Sequence, residues 1–232
     1  LIVDELYDTW GSIQAWAGSA QWNDIWYDNV KEWIKRDRNH PSVIMWSFGN
    51  ELQFQEVRWN WPTTDWGVTT YNIMNVVAKR YDPTRKTTVA MYPARAGGII
   101  RADPDFRIKE NIVPPELATV TEVASFNYTW EDYQEDLKHA PNIIVYQSEA
   151  VTNELAAPYF GMDRDKMVGL AYWGGIEYWG ESQGWPRKGW NYSFFNHSME
   201  PFPQAWLTKS IFTNEPLVYI GIVDNEGEMK MW

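Results

Sequence analysis

Glu51 and Glu149 each stand at the end of a short apolar run with the composition of a buried strand. The first run is Val43-Ile44-Met45-Trp46-Ser47-Phe48, with Pro41 just ahead of it and Gly49-Asn50 leading into Glu51. The second is Ile143-Ile144-Val145-Tyr146, followed by Gln147-Ser148 and then Glu149. β-Branched and aromatic residues favour the strand state in such runs. In a parallel α/β structure, ligands bind where the strands end, at their carboxyl termini. Two glutamates so placed have the chemistry that cleavage of a glycosidic bond requires, one as acid and one as nucleophile or base. A charge on a solvated rim is the plainer reading of either glutamate taken alone.

The rest of the chain reads as the elements that would position them. Leu1 to Leu6 is expected as a strand, with Asp4, Glu5 and Asp8 at or past its end. Asp24 to Asp37 has helical spacing, with Trp26, Val30, Trp33 and Ile34 on one face. A second helix is expected from about Asp65, a plausible N-cap, to Tyr81. Further strands are expected over Thr87 to Met91, Val120 to Tyr128, the Ile143 run and Met167 to Trp173. An acidic helix, Trp130 to Lys138, and a closing helix, Gln204 to Phe212, complete the reading. The spans from Phe54 to Thr64, from Pro93 to Leu117 and from Gln183 to Pro203 read as loops. Six strands alternating with helices or long loops imply a parallel α/β sheet, either doubly wound or closed as a barrel. No Gly-x-Gly-x-x-Gly or Walker loop follows any of them, which argues against a nucleotide enzyme. Val218 to Trp232 reads instead as a hairpin around Asp224-Asn225-Glu226-Gly227.

At 232 residues the chain can bury the core of one large domain. Its net charge of −11 argues against a nucleic-acid or anionic-membrane surface, and no apolar run approaches the length of a membrane span. There is no cysteine, so disulfides and thiolate metal sites are excluded. Three histidines, His40, His139 and His197, lack metal-ligand spacing, and neither a metal nor a cofactor is expected. Sixteen Trp and thirteen Tyr suit a packed core and equally suit flat apolar platforms for sugar rings. The triplet Asn127-Tyr128-Thr129 has the form of a glycosylation acceptor, a pattern that also arises by chance. The opening Leu1-Ile2-Val3-Asp4-Glu5 reads as a strand cut from a longer chain.

The stretch Asn39-His40-Pro41-Ser42-Val43-Ile44-Met45-Trp46-Ser47-Phe48-Gly49-Asn50-Glu51 resembles the acid/base signature of glycoside hydrolase family 2, the β-galactosidase, β-glucuronidase and β-mannosidase family. Asp4-Glu5-Leu6, Tyr146-Gln147-Ser148-Glu149 and Ala171-Tyr172-Trp173-Gly174-Gly175 follow the family order, and the resemblance extends to about Glu215. It implies a (β/α)8 TIM barrel with strands three to eight present, over residues 1–215, and a linker with the first hairpin of a following β-sandwich module over 216–232. It implies Glu51 as general acid/base and Glu149 as nucleophile, whose charge would keep Glu51 protonated. It implies that Asn50 bonds the sugar 2-hydroxyl, that Tyr128 bonds the nucleophile and that Trp173 forms a sugar platform. Asp4 and Glu5 are further pocket candidates. A Mg2+ site found in some members is not supported, because the segment here runs Asp8-Thr9-Trp10-Gly11. The Asn-x-Lys element of the glucuronidases is not evident, which orders β-galactoside cleavage first, before β-glucuronide or β-mannoside. Expected partners are a carbohydrate substrate and the missing strands and flanking β domains of a parent protein, with homo-oligomerisation open. The competing reading from another class is a non-catalytic carbohydrate-binding scaffold.

Overall fold

The computed structural model describes residues 1–8, 10, 20–52, 65–93, 114–150, 155–179, 189, 192–222 and 229–231. The expected loops at 54–64 and 183–188, most of the span 93–117 and the hairpin tip at 224–227 lie outside the described residues. The chain divides into two compact units, Leu1–Ser148 with Asp163–Gly169, and Glu149–Met162 with Leu170–Trp232.

The first unit opens with β1 (Ile2–Glu5), then α1 (Trp22–Asp37) and β2 (Val43–Ser47). α2 (Val68–Tyr81) leads into β3 (Lys86–Thr88) and β4 (Ala90–Met91), the two halves of one expected strand interrupted at Val89. β1 pairs with β2, β2 with β3, and β4 with β5 (Ala124–Asn127), all parallel. The second sheet runs in the order β4-β5-β6-β7, with β6 at Val145–Ala150 and β7 at Met167–Tyr172. Within each sheet, sequential strands are therefore spatial neighbours.

The side chains explain the pairing of layers. α1 buries Trp22, Val30, Trp33 and Ile34, while Lys31, Glu32 and Lys35 form surface pairs. Trp26, expected on that face, is only half-buried and stacks on Trp22 instead. Trp33 packs edge-on against Trp46 of β2 with centroids 4.9 Å apart, and Phe48 reaches Tyr71 of α2 at 5.8 Å. Each such fully buried aromatic contributes roughly 1.5–3 kcal/mol of apolar burial. The Tyr71 hydroxyl is not wasted there, since it bonds Thr87 Oγ1 at 2.7 Å and accepts the Glu122 N–H at 3.1 Å.

Two expectations need correction. Asp65 is not the N-cap residue: Gly67 holds that position with φ +87, a conformation suited to glycine, and the helix begins at Val68. Asp65 still satisfies the first turn, accepting the Thr69 N–H at 2.9 Å. The strand expected from Val120 is also shorter. Glu116–Val120 forms α3, because an apolar run too short for periodicity reads equally as strand or helix. The acidic stretch then splits into a 3-10 turn, Trp130–Asp132, and α4, Tyr133–His139.

The second unit contains α5 (Ala156–Phe160), which the residue pattern did not suggest, and α6 (Pro203–Phe212), started by proline at its first position. Tyr159 packs on Phe212 at 4.7 Å, and Tyr172 stacks on Phe194 at 3.8 Å. β8 (Ile220–Ile222) pairs antiparallel with β9 (Met229–Met231), the geometry of a hairpin.

Candidate active site

The candidate acid and its neighbours are gathered by the C-terminal ends of β1 and β2. Beyond Ser47 the chain turns at Gly49, where no side chain fits: an added Cβ would lie 2.7 Å from the Trp10 indole nitrogen. That indole is itself buried and donates to the Phe48 carbonyl at 2.8 Å. The chain then places Glu51 in left-handed backbone, φ +43. Tyr128 shares that conformation at φ +59. For non-glycine residues it costs on the order of 1–3 kcal/mol and is found preferentially at functional sites.

Asn50 is held from two sides. Its amide nitrogen donates to Asp8 Oδ1 at 3.3 Å, and its backbone N–H donates to the Asp8 carbonyl at 3.3 Å. Its amide oxygen accepts from Asn127 Nδ2 at 3.1 Å, and Asn127 Oδ1 accepts from the Ser148 hydroxyl at 2.6 Å. Asn127 is fully buried at the end of β5 with both amide atoms engaged, so it is no glycosylation acceptor in the folded chain. Sequence reasoning missed Asn127 and Ser148 as members of this group. The one available signal was an Asn at the end of a buried strand, the place Asn50 occupies relative to β2.

Glu5 joins the same group, accepting the Ser47 hydroxyl at 2.7 Å. Burial, reinforced by the nearby Asp8 and Glu51 carboxyls and opposed by the Ser47 bond, pushes it up to about 7. As a residue Glu5 keeps solvent-exposed surface, and water there screens part of the burial effect. The two acidic neighbours act in the same upward direction. Asp4 goes elsewhere. Strand alternation turns it toward Trp33, Arg36 and Asp37 of α1. There burial raises its carboxyl, Trp33 opposes the rise through a hydrogen bond, Asp37 adds to it and Arg36 weakly opposes it.

Tyr128 follows β5 and packs edge-on against Tyr92, with centroids 5.7 Å apart. In the second unit, Glu149 is half-buried, next to last in β6. Trp173 directly follows β7, its N–H bonded to the Ala150 carbonyl at 2.9 Å and its ring 6.0 Å from Tyr178. Among the described residues, no three His, Asp or Glu side chains are grouped as a metal ion would need. No described helix is long and apolar enough to cross a membrane.

Comparison with known proteins follows the same lines. The sequence profile described as glycosyl hydrolases family 2, TIM barrel domain, matches residues 4–158. A putative β-glucuronidase from Formosa agariphila is 46% identical over 52 residues, which is 22% of this chain and 5% of that protein. β-Galactosidase BoGH2A from Bacteroides ovatus is 40% identical over 53 residues, 22% of this chain and 6% of that protein. The crystal structure of a glycosyl hydrolase family 2 member from Bacteroides cellulosilyticus superposes with a TM-score of 0.69 at 27% identity, covering 95% of this chain and 25% of the other. The chain thus spans about a quarter of that solved protein, and its matches to the curated relatives span less. With parallel strands in sequential order and the family profile running from β1 past β6, the chain belongs to glycosyl hydrolase family 2, in its TIM barrel domain.

Proposed function

We propose that this chain carries the catalytic glutamates of a retaining β-glycosidase that removes terminal β-galactosyl residues. Glu149 attacks the anomeric carbon while Glu51 gives its proton to the departing glycosidic oxygen. The resulting glycosyl ester is opened by water, whose proton returns to the Glu51 carboxylate. Asn50 bonds the sugar 2-hydroxyl, Tyr128 orients the nucleophile and Trp173 offers a platform to the ring. Glu5 shares the acid's surroundings; Asp4 serves to hold α1.

The observation that supports this reading most is the strand-end turn at Gly49-Asn50-Glu51, built around Trp10 and Asp8 with Glu51 in a costly backbone conformation. A rim charge with no task needs no such construction. Galactose is favoured by the sequence around the family motifs and by β-galactosidase relatives such as the Bacteroides ovatus protein. β-Glucuronide cleavage is the second reading, favoured by the relative from Formosa agariphila. The test is turnover of matched nitrophenyl β-galactoside and β-glucuronide, with the first-formed anomer followed by NMR. Galactose released as the β-anomer is the expected result. Glucuronic acid without galactose would replace the sugar, an α-anomer would make the enzyme inverting, and no turnover of any β-glycoside would favour a carbohydrate-binding scaffold.

A further inference from the structure

We infer that Asn127 is a positioning residue, which together with Ser148 and Asp8 orients the Asn50 amide through a one-way hydrogen-bond relay. The inference rests on the reading of Asn50 as a substrate-binding residue and goes beyond it.

The direction of the relay follows from the chemistry of its ends. Asp8 Oδ1 is the acceptor at this contact, so Asn50 presents its NH2 group there. The Asn50 oxygen must then face Asn127, which answers with its own NH2. The Asn127 oxygen is left facing Ser148, and the hydroxyl supplies the proton. Every amide in the line is thereby denied its flipped state. Flipping Asn127 alone would set two oxygens against each other at Asn50; the Ser148 hydroxyl, able to donate or accept, follows whichever group Asn127 turns to it. Asn127 is wholly enclosed, so water is not at hand to repair such a mismatch. Asn50 is only half-buried and retains a second N–H and a lone pair with which to meet a sugar hydroxyl. The relay decides which atom it shows.

Two of the four members also sit where chemistry is proposed along the chain: Asn50 immediately precedes Glu51, and Ser148 immediately precedes Glu149. Asn127 joins these strand ends within the first unit, from its own place at the end of β5.

The experiment compares kcat/KM for a nitrophenyl β-glycoside and its 2-deoxy analogue in the unaltered protein, Asn50→Ala, Asn127→Ala and Ser148→Ala. Each variant is expected to lose roughly tenfold in its preference for the 2-hydroxyl, with most of the loss on the hydroxylated substrate. The Asn127→Ala, Ser148→Ala double variant should lose little more than the worse single one, because both cut one line. A residue that merely supports the fold would lower activity on both substrates alike. Should Asn127→Ala fail to fold, Ser148→Ala removes a single hydroxyl and carries the same test. An unchanged preference in Asn127→Ala or Ser148→Ala beside a collapsed one in Asn50→Ala overturns the relay and leaves the reading of Asn50 standing. An unchanged preference in Asn50→Ala itself overturns both.

Discussion

The two ends of the strands in the first unit use carboxylates in opposite ways. At the N-terminal ends of β2 and β3, Asp82 is buried and fully matched. It accepts from Trp46 Nε1 at 3.0 Å and from the Thr84 N–H at 3.0 Å, and it pairs with Arg85 at 2.6 Å. Arg85 in turn donates to the Val43 and His40 carbonyls at 2.6 and 3.0 Å and lies 5.5 Å over the Trp46 ring. Burial works against the ionised Asp82, but the bonds from Thr84, Arg85 and Trp46 outweigh it and hold the carboxyl well below its usual range. At the C-terminal ends, burial pushes Glu5 up instead, and the like charges of Asp8 and Glu51 add to the rise. One end spends its charges on holding strands together. The other sets Glu5 beside two further carboxyl groups with only the Ser47 hydroxyl opposing its rise, an arrangement more common at functional sites than in structural ion pairs.

The contrast can be broken most decisively at Glu51. Glu51→Gln is expected to lower kcat on a β-glycoside with a poor leaving group by about 10²–10⁴-fold, with the fold unchanged by circular dichroism. The loss should shrink on a nitrophenyl glycoside, whose leaving group needs less protonation. Equal turnover by variant and unaltered protein would remove Glu51 as the acid. At the other end, Asp82→Ala should cost about 3 kcal/mol in urea unfolding, because Arg85 and the Trp46 N–H lose their buried partner. Trp46→Phe removes one of those bonds and should cost about 1 kcal/mol beyond the packing change.

The smallest expected effect has the sharpest sign. Asp82 has a lowered folded-state value, so its stabilisation is present above the ordinary carboxyl range and is lost as pH falls through that lowered value. Glu5 behaves oppositely. Its folded form holds a proton that the unfolded chain releases, so stability declines as pH rises from about 4.5 to about 7. Glu5→Gln should therefore raise the urea midpoint at pH 8 relative to the unaltered chain and leave it nearly unchanged at pH 4. A gain at both values would mean that the Glu5 side chain is disfavoured at its site whatever its charge, with no titration behind it.

Much of this was legible from residues alone. The run from Val43 to Phe48 could hardly be anything but a buried strand, and its Gly-Asn-Glu tip marked where chemistry would sit. The helical face of α1 was visible because Val30, Trp33 and Ile34 recur with a period no strand can use. Short elements were less secure. Glu116–Val120 and Ala156–Phe160 are five residues each, too few for a periodic signal to separate helix from strand.

What the sequence by itself determined is local: which runs are apolar, where glycine and proline interrupt them, and which carboxyl groups end a strand. Those follow from side-chain burial and backbone sterics within a few residues. That Asn127 would face Asn50, 77 positions away, only the tertiary structure decided. So did the parting of Asp4 from Glu5, adjacent residues that strand alternation turns to a helix on one side and to Glu51 on the other. A hydrogen bond depends on angle and on distance to within a fraction of an ångström, and the register of parallel strands sets both.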